Sequence, residues 1–352
     1  MRRLSLAALA LVVVAGVGHT LAWRWADQRL RSGFAAWVGQ RRAEGWTVRS
    51  GVPESGGWPV AARLIVPDLS LAGGQPDIPG GVEFGAGRAV LAVAFLRPRV
   101  LTVSFGSAQH IRFGSAPDIP FHADRLQASL PLIQGARAVD IESVNLRAGW
   151  PAPEGAPASI TVALLQVHLE TKPAAPQGEP AISFTASAED IALPPRVLPG
   201  ARLWPLGDRI ASLSVEGDVS GPLPKAADLA TRAAGWRDGG GTLEIRRLAL
   251  GWGPLGATGG ATLALDERMQ PMGTANMRLT GQAEALDALV ANQAITPGAA
   301  KAAKAVFSLM TRAPDGGGAP EVEVPLTLQK QTLSLGRIPL ARMTEWIWPT
   351  AP

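Results

Sequence analysis

After Trp46 the hydrophobic period of this chain falls from 3.6 residues to two, and outside a few short stretches it stays there to the end. Successive side chains of a strand point to opposite faces, so this alternation commits most of the chain to half-buried β-strands. Leu213, Val215 and Val219 alternate with Ser212, Ser214, Glu216 and Asp218. Val322, Val324, Leu326 and Leu328 alternate with Glu321, Glu323, Thr327 and Gln329. Similar strands are expected near 60–72, 88–96, 99–105, 120–131, 138–148, 159–170, 181–193, 241–252, 260–266, 273–280 and 332–337. The Gly, Pro and Asp turns between them are too short for crossover helices, so the pairing should be antiparallel. With 40 Gly and 30 Pro in 352 residues, turns are plentiful and no G-X-Y period suggests collagen.

Three strands carry a slip of one residue in their apolar phase. They are Val139 and Ile141 then Val144 and Leu146; Ile160, Val162 and Leu164 then Leu165, Val167 and Leu169; and Leu243 and Ile245 then Leu248, Leu250 and Trp252. Such a slip exchanges faces unless a bulge absorbs it. The expected fold class is therefore mainly β: a long curved antiparallel sheet, an open barrel or groove, with an N-terminal transmembrane helix and a short C-terminal helical insertion. That insertion, at about 282–312, comprises Gln282–Gln293 and Thr296–Thr311, the latter with Thr296 as N-cap and Pro297 at the first helical position. A short helix near Ala226–Trp236 is also compatible with the pattern. The Pro-rich stretches 172–180 and 194–199 read as loops, and the second divides one hairpin array, 46–199, from another, 200–352.

The N-terminus follows other rules. Leu4–Trp23 is twenty residues without a charge, about 30 Å as a helix and one hydrocarbon thickness. Arg2 and Arg3 precede it, and Trp23, Arg24 and Trp25 stand where an interfacial belt belongs. A cleaved signal peptide competes, with Thr20-Leu21-Ala22 as a poor cleavage site, but residues 1–23 are expected to remain as a signal anchor. A three-residue charged tail before a large body implies that the body is exported. Residues 24–45 then form an amphipathic juxtamembrane helix, with Leu30, Phe34, Trp37 and Val38 at i, i+4, i+7 and i+8. That stripe lies either on headgroups or, as a stalk, on the β body.

Seven of the 33 basic residues but only two of the 29 acidic ones fall in residues 1–45, leaving the rest close to neutral. The high pI of about 10.1 thus belongs to the membrane-proximal segment, and nucleic acid is rejected as a partner. Without a single Cys the chain has neither disulfides nor a thiol nucleophile. His19, His110, His122 and His168 show no metal-binding spacing; His110 and His122 meet only if a hairpin aligns them. Gly251-Trp252-Gly253-Pro254-Leu255-Gly256 matches GxGxxG in form, but a strand rather than a helix follows it, so it reads as a hairpin turn. No GxSxG, P-loop or SxxK occurs. The expectation is no enzyme, no metal and no cofactor. Eleven Trp against no Tyr place Trp346 and Trp348 with the interfacial group, while Trp58, Trp150, Trp204, Trp236 and Trp252 read as packing residues beside Gly-rich turns.

Several segments together are similar to a known family: the span running into Trp23-Arg24-Trp25, the Gly57-Trp58-Pro59-Val60 turn feeding Arg63–Asp68, and Gly241–Glu244 through Leu335–Leu340. Across nearly its whole length the chain resembles the Gram-negative membrane-anchored family called domain of unknown function 2125. More distantly it is similar to AsmA-like envelope proteins, whose curved β grooves are associated with moving or shielding lipids. The resemblance implies a single-pass inner-membrane protein with its body in the periplasm, and it carries over no catalytic residues. Two functions follow. In the first, the sheet binds lipid or another amphiphile along an apolar groove formed by Leu213, Val215, Leu263, Leu265, Val322, Val324, Leu326 and Leu328. In the second, the protein is a structural or assembly factor of the envelope with a closed core and no ligand, and protein partners that the sequence does not name.

Overall fold

The computed structural model describes residues 2–74, 80–106, 108–133, 137–150, 158–172, 174–194, 204–224, 228–292, 294–312, 320–336 and 338–348. The chain divides into two compact units, one ending at Ala136 and one beginning at Arg137. This boundary lies elsewhere than the division expected at 199. Residues 195–199 lie outside the described residues, but the strands on either side of that Pro-rich loop pair with each other, Ala192 opposite Arg209, so the loop joins two neighbours of one sheet.

The first unit begins with α1 (Arg2–Ala43), a single helix of 42 residues. The apolar segment and the amphipathic segment read separately in the sequence are therefore continuous, because nothing between Trp23 and Ala43 breaks a helix strongly: Gly33 and Gly39 are isolated among Ala, Leu, Arg and Gln. The helix stops where a left-handed residue is available, at Gly45 with φ +85°. Eight strands follow: β1 (Thr47–Arg49), β2 (Glu54–Gly56), β3 (Ala61–Gly73), β4 (Val82–Ala94), β5 (Val100–Phe105), β6 (Gln109–Phe113), β7 (Ile119–His122) and β8 (Arg125–Pro131). The sheet is five strands across and antiparallel: β1 and β2 share one side of β3, β4 takes its other side, β5 and β6 share β4, and β8 and β7 flank β5 and β6. The short β6, too polar to alternate clearly, has no counterpart in the sequence reading.

The stripe on α1 docks on this sheet. Leu30, Phe34 and Val38 pack against a core of Val48, Leu64, Val66, Leu69 and Ala89, of which Leu64, Val66 and Ala89 are fully buried. Each such aliphatic side chain withdrawn from water contributes about 1.5–3 kcal/mol. The stalk alternative for this helix is thus the one realised.

In β3 the buried residues run Ala62, Leu64, Val66 and then Leu69, an odd step that should turn the strand over. Register with β4 is nevertheless unbroken from Ala61↔Ala94 to Gly73↔Val82. The step is absorbed at Asp68, whose φ of +46° is left-handed, a conformation that Asp and Asn tolerate better than other side chains with a Cβ. Asn145 (φ +52°) and Asp190 (φ +54°) recur in the second unit. Two of the phase slips read in the sequence, around Val144 and Leu164, meet at Asn145 without any shift of register. The third is a true bulge: register shifts between Ile245 and Leu248, which leaves both on the same side.

The second unit is a meander. Its strands are β9 (Ala138–Trp150), β10 (Ala158–Thr171), β11 (Pro180–Ala192), β12 (Arg209–Ser220), β13 (Leu243–Trp252), β14 (Leu255–Leu265), β15 (Pro271–Thr280), β16 (Thr311–Arg312), β17 (Glu321–Gln329), β18 (Thr332–Leu335) and β19 (Ile338–Arg342). Each long strand pairs antiparallel with the next, β15 passing directly to β17. Three helices interrupt it: α2 (Leu229–Asp238), α3 (Gln282–Ala291) and α4 (Pro297–Met310). Asp228 caps α2 by accepting from the Thr231 amide at 2.8 Å.

Candidate functional site

The eight residues expected to line a groove lie on one face of the second unit. Residues directly opposite in antiparallel strands share a face. One row runs Leu213, Leu250, Ala257, Leu279, Val322, and the next Val215, Leu248, Gly259, Met277, Val324. Leu263 and Leu328 both oppose Gly273, Leu326 opposes Ala275, and Leu265 opposes Pro271. This face is not uniform. Leu213 is 36% exposed, whereas Val322 and Val324 are 0% and 6% exposed, so the β17 end is packed core.

The apolar cleft described next lies in the first unit, among residues of which the sequence reading had singled out Trp25 alone, as a membrane-interface residue. Between α1 and the sheet there is a cleft of about 660 Å³. Trp25, Ala26, Arg29, Leu30, Gly33, Phe34 and Trp37 form its helical wall. Facing them are Leu69 and Leu71 of β3, Phe84, Ala89, Leu91 and Val93 of β4, Leu101, Val103 and Phe105 of β5, Leu130 of β8, and the flanking Pro98 and Leu132. From Trp25 to Trp37 the helix rises about 18 Å, which sets the length of the cleft. Its size falls in the range of small-molecule sites.

Local sequence explains why the space stays open. The helical wall repeats at i, i+4, i+8 and so faces the sheet, but at the centre of that face stands Gly33, beside which a Cβ would meet nothing within 4 Å. Opposite, Ala89 is the small residue in a row of Leu, Val and Phe. Phe84 meets Phe105 edge to face at 5.5 Å, closing the end nearer Trp37. Of the nineteen lining residues Arg29 alone is charged. Its guanidinium sits 5.4 Å from the Trp25 ring, and among the described residues no carboxylate pairs with it in an ion pair. The site thus offers a long apolar slot with one cation at one end. A sequence signal that could have pointed here is the Trp25–Arg29–Gly33–Trp37 spacing on a helix already read as amphipathic.

Above the cleft, α1 is tied to the sheet by polar contacts. The Trp23 indole donates to the Ala61 carbonyl at 3.0 Å, His19 Nε2 lies 2.6 Å from the Pro59 carbonyl, and the His19 ring is 4.7 Å from that of Phe95. On the outer edge Arg31 donates to Ser55 Oγ at 2.6 Å, and the Ser55 hydroxyl donates to Asp27. Of the expected membrane-interface residues, Arg24 and Trp25 are exposed and Trp23 is half-buried; the side chains of Arg2 and Arg3 lie outside the described residues.

The remaining candidates do not converge. The hairpin carrying His110 and His122 forms, but its register sets His110 opposite Pro120, and His110 lies over Gly85, where a Cβ would stand 2.1 Å from the ring. His168 pairs with Asp140 at 2.6 Å on an exposed strand face. Among the described residues no group of three His, Asp or Glu is placed to hold a metal ion. Gly253 does form the β13–β14 turn, with φ +55°. Trp204, Trp236 and Trp252 pack as expected, each indole donating to a backbone carbonyl at 2.8–2.9 Å. Trp58 departs from that expectation, being 58% exposed, and the Trp150 side chain lies outside the described residues.

A helix in this structure is long and apolar enough to cross a membrane, and none of its apolar window is buried. A family model described as an uncharacterized protein conserved in bacteria, domain of unknown function 2125, matches residues 23–344. No curated protein and no solved structure matches the chain.

Proposed function

The chain belongs to that uncharacterized bacterial family, and we propose that it is a membrane-anchored binding module whose cleft receives the apolar chain of an anionic amphiphile. The observation that carries this reading is the lining: eighteen apolar residues and Arg29. An acyl chain loses its contact with water along the slot while a phosphate or carboxylate remains at the Arg29 end. Binding, rather than catalysis, is the role that such a lining suits, since it presents no nucleophile or acid–base pair.

The apolar half of α1 is the anchor, in the inner membrane, with the body in the periplasm. Protease protection in spheroplasts tests this orientation: the body is degraded without lysis if exported. For the second unit the buried Val322 and Val324 favour a packed scaffold, the closed-core alternative, over a second groove.

The test is mass spectrometry of lipids that co-purify with the full-length protein, compared with Gly33→Trp. The indole fills the slot from a helix position with open space beside it, so the variant should fold and lose the lipid. A parent that carries no amphiphile, or a Gly33→Trp protein that keeps its full complement, overturns the reading.

A further inference from the structure

One end of the first unit's sheet collects large, exposed apolar side chains. The turn before β3 presents Trp58 and Val60, 58% and 66% exposed; the β4–β5 turn presents Leu96, 94% exposed; the end of β8 presents Leu132 and Ile133, 52% and 55% exposed. These segments are stitched side by side, the Phe95 amide donating to the Val60 carbonyl at 3.2 Å and the Leu132 amide to the Arg99 carbonyl at 2.7 Å. Exposed apolar patches of this kind mark an interaction surface.

The level of this end on α1 identifies its partner. His19 and Trp23 reach the Pro59 and Ala61 carbonyls, so the loop tips stand beside residues 19–23, where the uncharged run of the helix ends. Exposed cations accompany these tips, Arg97 and Arg99 in the same turn as Leu96 and Arg24 next to Trp23, and residues 57–61, 95–101 and 130–133 contain no acidic residue. Apolar tips accompanied by cations, continuous with a membrane-spanning length of helix, match the profile of a bilayer interface: hydrocarbon, then anionic headgroups.

We propose that this end of the sheet is a collar inserted into the leaflet from which α1 emerges, with Leu96 and Ile133 below the headgroups. The protein is then held by a helix and three loops, and the Trp25–Pro98–Leu132 end of the cleft opens at headgroup depth, so that an acyl chain enters from the bilayer without crossing water. The collar rests on the membrane attachment proposed above but not on what fills the cleft.

Because the chain has no Cys, single cysteines report cleanly. Full-length Leu96→Cys, Ile133→Cys and, at the opposite end of the sheet, Phe113→Cys are labelled with a nitroxide and reconstituted in phosphatidylethanolamine/phosphatidylglycerol bilayers. Accessibility to oxygen and to a water-soluble nickel chelate is read by power saturation. The labels at 96 and 133 should favour oxygen and the label at 113 nickel. Equal nickel accessibility at all three overturns the collar. Val60→Cys replaces any of the two collar positions whose variant does not melt with the parent. The same depths measured in a Gly33→Trp background separate the two proposals, since a filled cleft leaves the collar where it was.

Discussion

Trp23 and Ala61, thirty-eight residues apart, are joined by an indole N–H donating to a backbone carbonyl at 3.0 Å, which fixes where on α1 the strand β3 begins. Trp23→Phe keeps the ring and leaves the half-buried carbonyl without that donor. A loss of about 1 kcal/mol is expected, read by urea unfolding of detergent-solubilised protein. No change would mean that the contact contributes nothing to docking of the helix.

Arg29 is the one charge in the cleft wall, and it stands at the Trp25 end. Arg29→Gln should leave the melting temperature unchanged and shift the co-purified lipid from anionic towards neutral species. Unaltered headgroup composition by mass spectrometry would count against a headgroup contact at this residue.

Asp68 is exposed and left-handed in a strand whose partners on both sides of it are in register. Asp68→Gly should therefore be close to neutral. Asp68→Val should cost about 1–2 kcal/mol, because a β-branched side chain resists that backbone conformation. Equal denaturation midpoints for the two variants would contradict the role given to the left-handed residue.

The alternation that defines the long strands was legible without coordinates, because period two and Gly/Pro turns are local properties; the short β1, β2, β6, β16 and β19 were not read, being too brief or too polar to show a period. The Leu30–Phe34–Val38 stripe was legible too. Its receiving surface was not: a stripe says that a helix face is buried but not which strands bury it, and the cleft exists only once β3, β4 and β5 stand opposite. For the same reason the eight residues Leu213 to Leu328 were rightly placed on a common face, while the change from exposed Leu213 to buried Val322 depends on contacts that no strand pattern encodes. The slips at Val144 and Leu164 were visible as irregularities. That Asn145 resolves them by a positive φ, with register kept, follows from the pairing of two strands and not from either alone.

Val324 is 6% exposed and lies opposite Met277. Val324→Asp buries an unpaired charge and should cost several kcal/mol, enough to unfold the second unit. Glu323→Ala, one residue along on the exposed face, should change stability by about half a kcal/mol or less. Thermal melts of the two distinguish a packed core here from an open wall, on which the aspartate would be tolerated.

The carboxylate of Asp228 is held below the usual Asp range, chiefly by accepting the Thr231 amide. A depressed folded-state pKa means that the ionised cap stabilises α2 at neutral pH, and that this contribution is lost as pH falls through the lowered value. Asp228→Asn caps without titrating. Between neutrality and about pH 3 the parent should lose more of its melting temperature than the Asn variant does; parallel curves would remove the cap from the acid response.

The uninterrupted course of α1 makes it a lever. From Trp23 to Ala43 the helix runs about 30 Å beyond its apolar half, so a tilt of about 5° there swings its far end by about 3 Å. A span held in a bilayer adjusts its tilt to hydrocarbon thickness. With Leu30, Phe34 and Val38 seated on the sheet, the anchoring proposed above would make the first unit turn with the rod, so that the attitude of its slot follows the tilt of the span.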